Sequence, residues 1–306
     1  MSDEQIILPH GFLEAPVTRN LEACDVAVLG IPFDLATTGR AGTRDGPAAI
    51  RQASYHMSCE TRRWPWRFAL SDRLRLIDYG DVRFETGNTL AMIEALCAHA
   101  RTIIGAGKKL LCLGGDHFIS LPLIREHAAR YGALALIHFD AHADTETSTN
   151  VVNHGSMFRH AIDEGLIDPA HSVQVGVRTE YEYDDYPLTV LGAARVNDRP
   201  AGSTARLIRD TVGQRPTYIT FDIDCLDPAY APGTGTPCPG GLSTDLALKI
   251  LRELAPCEIV GMDLVEVAPA YDHAEITALA GATIAMEMLY VLAAKTDDLE
   301  SVHAQP

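Results

Sequence analysis

Short apolar, β-prone runs alternate with helical patterns along nearly the whole of this 306-residue chain, which limits its fold more than any other feature. Strands are expected at 25–31, 73–78, 109–113, 133–139, 172–177, 189–196, 217–223 and 257–264. Helices are expected between them at 46–58, 88–107, 118–131, 202–213, 243–255 and 274–295. In 88–107, Leu90, Ile93, Leu96, Ala100, Ile103 and Ile104 keep a near-3.6 rhythm, and Gly105 and Gly107 suit its end. Continuously apolar strands separated by helices imply a parallel sheet covered on both faces. No repeat, low-complexity stretch or linker divides the chain. One domain, 1–306, is therefore expected: a three-layer α/β/α fold with a mostly parallel sheet of about eight strands.

Composition narrows the function. With 47% hydrophobic and 22% charged residues the chain reads as an ordinary soluble globular protein. No apolar run is read as approaching the roughly 18 residues that span a bilayer. The start, Met1-Ser2-Asp3-Glu4-Gln5, lacks the basic-then-apolar pattern of a secretory signal. The formal charge of −16, from 41 acidic and 25 basic residues, argues against a nucleic-acid or anionic-membrane partner. It could steer a cationic substrate, but taken by itself it reads better as solubility alone. Seven scattered cysteines without a Cys-x-x-Cys pair suggest reduced thiols and a cytoplasmic location.

Three of the apolar runs end in acids and histidines. They are Leu110-Leu111-Cys112-Leu113-Gly114-Gly115-Asp116-His117, Ile137-His138-Phe139-Asp140-Ala141-His142-Ala143-Asp144 and Tyr218-Ile219-Thr220-Phe221-Asp222-Ile223-Asp224. Alternate residues on extended backbone share a side, so Asp140, His142 and Asp144 would converge while Phe139, Ala141 and Ala143 face the packed side. In open parallel sheets, ligands bind beyond the carboxyl ends of strands, where all three clusters fall. Singly, each cluster could cap a helix or pair with a basic residue. Together they contain no Lys or Arg, and buried charges need partners. Two divalent cations sharing carboxylates would supply that charge, and carboxylate-plus-imidazole ligation suits Mn²⁺ among others. A two-metal hydrolase is the expectation. Cys225 should point to the packed face, and Asp116 and Asp227 should orient a ligand or a turn.

These segments resemble the signature of the ureohydrolase, or arginase, family. The match extends through Ala231-Pro232-Gly233-Thr234-Gly235-Thr236-Pro237, the stretch 33–42, Gly46-Pro47-Ala48-Ala49-Ile50-Arg51, the stretch 261–269 and the final helix from Glu275. It covers nearly the whole chain and is closest to the family's bacterial agmatine-hydrolysing members. The resemblance implies two Mn²⁺ per chain, one held by His117, Asp140, Asp144 and Asp222, the other by Asp140, His142, Asp222 and Asp224. A hydroxide shared by the ions would be the nucleophile, with Asp144 accepting its hydrogen bond. It also implies that His154 shuttles protons and that Glu266 clamps a guanidinium through two parallel hydrogen bonds. Without the resemblance, His154 reads equally well as a histidine at the start of a helix near Ser156, and Glu266 could pair with a structural arginine.

The implied reaction is hydrolysis of a small cationic guanidino compound, agmatine, to urea and putrescine. Arginine is a poorer fit, because the loop 145–153 is shorter than its arginase counterpart and matches it badly. Val151-Val152-Asn153 and Cys238-Pro239 depart from the commoner pattern and keep 4-guanidinobutyrate or another guanidine open. A catalytically silent, metal-stabilised subunit is the rival from another class. The family commonly forms trimers and hexamers, so a homo-oligomer is implied. The stretch 39–46 has neither a dinucleotide nor a Walker pattern and reads as a loop at the site mouth. Trp64-Pro65-Trp66 reads as packing or an oligomer contact.

Overall fold

The computed structural model describes residues 11–59, 62–147, 152–181, 184, 186–295 and 298; the acidic N-terminus and residues 148–151 of the 145–153 loop lie outside them. Eight strands form one sheet: β1 (Val26–Ile31), β2 (Leu76–Asp81), β3 (Lys109–Gly114), β4 (Ala135–Phe139), β5 (Val173–Val175), β6 (Thr189–Leu191), β7 (Thr217–Asp222) and β8 (Ile259–Val265). Their order is β2-β1-β3-β8-β7-β4-β5-β6, and every pairing is parallel, not merely most of them. The helices are α1 (Gly46–Tyr55), α2 (Thr89–Gly105), α3 (Ser120–Tyr131), α4 (Met157–Asp163), α5 (Ala193–Asn197), α6 (Ala201–Val212), α7 (Thr244–Arg252) and α8 (Ile276–Ala293).

The period-2 alternation of strand side chains divides the core into two layers. In β1, Val26 and Val28 belong to the layer that contains α1, α6, α7 and α8, whereas Ala27 and Leu29 belong to the layer that contains α2, α3 and α4. Helix α2 starts where the Asn88 side chain accepts from Ala91 N at 3.0 Å, and it ends before Gly107, which takes φ +74°. Its buried stripe is Met92, Leu96, Ala100, Ile103 and Ile104. Leu90, expected on that stripe, is 71% exposed, because the stripe runs three and four residues apart from Met92.

Two further expectations need correction. The run 189–196 ends as a strand at Leu191, since extended Gly192 introduces α5. Helix α8 does reach membrane-spanning length, with mean hydropathy 1.7 over 18 residues, yet 83% of it is buried within the fold. It is a core helix, apolar all round because it packs against β8, α1 and α7. Its one carboxylate, Glu287, is 1% exposed and accepts from Arg252 Nε at 3.0 Å and Trp66 Nε1 at 2.5 Å. Trp66 also stacks on Tyr290, whereas Trp64 is 69% exposed.

The order places β3, β8, β7 and β4 side by side in mid-sheet. Leu113, Leu264, Phe221 and Phe139 are in register across them. The residues that follow therefore emerge at one level, into a common crevice.

Candidate metal centre

Each strand end bends sharply, and carboxylates make the bends. Past Phe139 the backbone leaves the sheet: Asp140 Oδ1 accepts from His142 N at 2.6 Å, and Asp144 lies in the left-handed region at φ +51°. Asp140, His142 and Asp144 therefore converge through a turn, and not along extended backbone as expected. A short polar side chain that captures a following N–H competes with the strand ladder and ends it. Likewise Asp222 Oδ1 accepts from Asp224 N at 2.8 Å, opening a 3₁₀ turn over Ile223–Cys225. After β3, Asp116 accepts from Phe118 N at 3.1 Å and Ala36 N at 2.9 Å, closing the turn that presents His117. Gly115 permits this close approach, since a Cβ there would lie 2.2 Å from Phe33 O.

Six residues expected as ligands meet in two adjoining groups. His117 Nδ1 lies 3.1 Å from Asp140 Oδ2, 3.1 Å from Asp144 Oδ2 and 3.3 Å from Asp222 Oδ2. His142 Nδ1 lies 3.2 Å from both Asp140 Oδ1 and Asp224 Oδ2. Asp140 thus offers one oxygen to each group. Oxygen and nitrogen ligands about 2.1 Å from a small divalent cation sit about 3 Å from one another, which is the spacing here. His117 Nδ1 is buried with no hydrogen-bond partner, a nitrogen whose lone pair has nowhere else to go.

The electrostatics agree. Burial, and then the charges of Asp224 and Asp140, push the Asp222 carboxyl well above its usual range, and burial with Asp140 also raises Asp224. Burial opposes charge on His142, but Asp140 and Asp224 raise its pKa from 6.5 to about 12. Against its own burial, Asp140 is held well below the usual carboxylate range by His138, His117 and His142, which it faces. The centre thus ionises one acid while Asp222 and Asp224 resist and the His117 and His142 imidazoles gain protons. That is a shortage of positive charge, which metal ions provide in place of protons.

Hydrogen bonds behind the ligands orient them. His117 Nε2 lies 2.8 Å from Thr220 Oγ1, which donates to Asp263 Oδ1 at 2.5 Å. Asp263 also accepts from Ser120 Oγ and Tyr218 OH, each at 2.8 Å. Cys225 is fully buried and its Sγ donates to Val175 O, so it packs as expected. Asp227 holds a turn, accepting from Ala229, Gly240 and Gly241 N–H groups.

Glu266 follows β8 at φ +65°, its N–H bound to Gly115 O at 2.9 Å. Its Oε1 accepts from His117 N at 2.8 Å and lies 3.1 Å from His154 Nδ1, while Oε2 is buried without a partner. Two non-glycine residues at positive φ, Asp144 and Glu266, therefore flank one site, where such strain commonly collects. His154 Nε2 lies 2.7 Å from both Thr38 N and Thr38 Oγ1. The Thr38 N–H favours a neutral ring. Burial does too, but Glu266, with Asp144 and Asp116 adding their charges, outweighs burial and raises His154 from 6.5 to about 9. Burial, and then the Glu266 charge, lift Asp116 to about 8.

A cavity of about 800 Å³ opens above this floor, lined by His142, Asp144, His154 and Asp222 below and by Thr38, Glu146, Thr179, Glu180, Tyr181 and Thr236 around. Glu266, 1% exposed, reaches the cavity through His154. Of the expected mouth loop, Arg40 is anchored to Thr234 O at 2.7 Å, and Thr38, just before the loop, is what lines the cavity. Sequence reasoning missed His138, whose ring nitrogen stands with His117, Asp140 and Asp144. Its signal was present, for it precedes Asp140 in the same every-second-residue pattern. Arg178, which donates to the carbonyls of Gly176, Asp224, Cys225, Leu226 and Cys238, had none.

The arginase-family model matches residues 24–290. An agmatinase of Photorhabdus laumondii is 57% identical over 295 residues, covering 96% of each chain. A crystal structure of a hypothetical agmatinase from Burkholderia thailandensis superposes with TM-score 0.90 at 49% identity, covering 93% of this chain and 90% of that one. Proclavaminate amidino hydrolase from Streptomyces clavuligerus follows at TM-score 0.89 and 38% identity, covering 95% and 99%. With the family model spanning most of its length and these relatives matching nearly end to end, the chain belongs to the arginase family.

Proposed function

We propose that this chain is an agmatinase that hydrolyses agmatine to putrescine and urea with two Mn²⁺. The observation that carries the reading is the orphaned His117 Nδ1, ringed by three carboxylates and adjoining the Asp140–His142–Asp224 group. His117, Asp140, Asp144 and Asp222 would hold one ion, and Asp140, His142, Asp222 and Asp224 the other. When bound, such a pair supplies an activated water nucleophile at neutral pH and electrophilic charge at the reacting carbon.

The chain's own groups do the rest. Glu266 Oε2, buried and unpartnered, accepts from the guanidinium and fixes its orientation. His154 holds one proton at Nδ1 against Glu266 Oε1. A second at Nε2 would be directed at the Thr38 hydroxyl once the Thr38 N–H, which donates to that nitrogen in the structure, turns away. A ring protonated at both nitrogens is the acid that protonates the departing amine as the carbon–nitrogen bond breaks. Glu146 and Glu180 give the cavity an acidic rim suited to agmatine's primary ammonium. Relatives 54–57% identical carry the agmatinase name, which supports agmatine over other guanidines. All seven cysteines are unpaired, which fits a reducing cytoplasm, and we propose a homo-oligomer of the kind the family forms.

The test is urea release by Mn²⁺-loaded protein on agmatine, arginine and 4-guanidinobutyrate. Agmatine should be turned over fastest. Faster release from arginine or 4-guanidinobutyrate overturns the substrate, and no release from any of them overturns the activity.

A further inference from the structure

A buried chain of hydrogen bonds leads from Asp140 to the cavity wall. His138 on β4 is fully buried, and its Nε2 lies 2.7 Å from Asp140 Oδ2. Its Nδ1 lies 2.9 Å from Nε2 of Gln174, its register partner on β5. The same Gln174 nitrogen donates to Ala143 O at 2.7 Å, while Gln174 Oε1 accepts from the Tyr186 hydroxyl at 2.7 Å. Tyr186 OH in turn lies 3.0 Å from Thr145 Oγ1, and Thr145 lines the cavity.

The direction of every bond follows from what each atom can do. Ala143 O only accepts, so the Gln174 amide must turn its NH₂ toward it; the flipped amide would set two acceptors 2.7 Å apart, and the amide oxygen is thereby left to accept from the Tyr186 hydroxyl. The second hydrogen of that NH₂ points at His138 Nδ1, which must accept it. The ring hydrogen of His138 is therefore on Nε2, directed at Asp140 Oδ2. Tyr186 donates its only hydrogen to Gln174, so the Thr145 hydroxyl donates to Tyr186.

We propose that His138 is a positioning residue for Asp140, held in the Nε2–H tautomer by Gln174 and Tyr186. Asp140 then receives one N–H on each oxygen, from His138 on Oδ2 and from His142 N on Oδ1. Clamped at both ends, the carboxylate cannot rotate, and it keeps Oδ2 toward His117 and Oδ1 toward His142. Groups behind a ligand that fix its orientation raise affinity for the metal. This inference rests on Asp140 being a ligand, as proposed above.

The experiment is calorimetric titration of Mn²⁺ into the full-length, chelator-stripped protein, with kcat/KM for urea release measured beside it. His138→Leu should weaken Mn²⁺ binding about 10- to 100-fold. His138→Gln, which returns an N–H near the position of Nε2, should recover most of that loss. Tyr186→Phe should weaken binding in the same direction by a smaller factor, about two- to ten-fold, and it remains informative if His138→Leu does not fold. Wild-type affinity in both His138→Leu and Tyr186→Phe overturns the proposal alone, as does equal damage in His138→Leu and His138→Gln. A wild-type chain that takes up no Mn²⁺ overturns the metal reading as well.

Discussion

Glu266 and His154 share a single hydrogen bond, Oε1 to Nδ1 at 3.1 Å, which leaves the second carboxylate oxygen of Glu266 buried and unpaired. A buried charged oxygen without a donor is costly unless something occupies it, and a guanidinium brings the donors. Glu266→Gln keeps the size and most of the Oε1 contacts but removes the charge. It should lower kcat/KM on agmatine by about a hundred- to a thousand-fold, the usual effect of stripping one partner from a buried charge pair. Bound Mn²⁺ should stay unchanged, because Glu266 touches only the backbone N–H of His117 among the proposed ligands. Full metal content with unaltered kcat/KM would remove Glu266 from substrate binding.

The same contact sets a pH dependence. Glu266 raises His154 from 6.5 to about 9, so the charged ring is populated below about 9 and lost above it. If the charged ring protonates the leaving amine, kcat should fall as pH rises through about 9. Residual activity of Glu266→Gln should lose its alkaline limb at lower pH, nearer 6.5, since the group that raises the ring most is gone. His154→Asn should lower kcat by about a hundred-fold or more and abolish that limb. A limb at the same pH in all three proteins would assign it to another group.

Removing metal should loosen the fold as well as stop the reaction. Asp140, Asp222 and Asp224 are at most 3% exposed, and among the described residues imidazoles, not Lys or Arg, stand against them. A ligand present at about 100 times its dissociation constant adds about 2.7 kcal/mol of stability. For a chain of 306 residues, whose unfolding entropy is about 2.1 cal/mol/K per residue, that raises Tm by roughly 4 °C. Dialysis against a chelator should therefore lower Tm by that amount and end urea release, and Mn²⁺ should restore both. Asp222→Asn should show little response of Tm to Mn²⁺. A melting curve indifferent to chelator and metal would leave the carboxylate cluster without its proposed role.

Much of this was legible in the residues, for reasons that differ by element. Strands such as β1 and β3 stood out because burial on both faces demands an unbroken apolar run. His117, Asp140 and Asp222 were found because they follow such runs directly, at the level where a parallel sheet opens its crevice. The order of strands was not legible, because which strand lies next to β8 depends on packing between distant segments. The conformations of Asp144 and Glu266 were hidden too, since positive φ in an acidic residue is imposed by surroundings and carries no local signature. Thr38 escaped notice for a similar reason: a loop threonine acquires its place against His154 only through the fold.

Substrate selection should weaken at the rim. Glu146 and Glu180 line the cavity with exposed carboxylates, and exposed charges in water are heavily screened. Glu180→Gln should therefore raise KM for agmatine only about two- to five-fold, with kcat little changed, and the effect should shrink as salt is added. Agmatine carries an ammonium on its tail and 4-guanidinobutyrate a carboxylate, so the ratio of their kcat/KM values should fall in the variant. A ratio that stays fixed would place tail recognition elsewhere on the wall.

His127, far along α3 from the cavity, gives the fold an acid limit of its own. The ring is fully buried between Tyr131 and Tyr218, with Nδ1 2.8 Å from Leu123 O and Nε2 without a partner. Gly261 makes the room, since a Cβ there would meet Nε2 at 2.2 Å. Burial, with Lys109 adding its charge, lowers the pKa from 6.5 to about 4. The unfolded chain therefore binds this proton below pH 6.5 while the folded chain refuses it until about 4, so stability must fall across that window as pH falls. A depression of this size is worth on the order of 3 kcal/mol. Urea denaturation at stepped pH should show wild type losing that much, relative to His127→Phe, between neutrality and pH 4, and two parallel curves would mean the ring is charged in the folded protein.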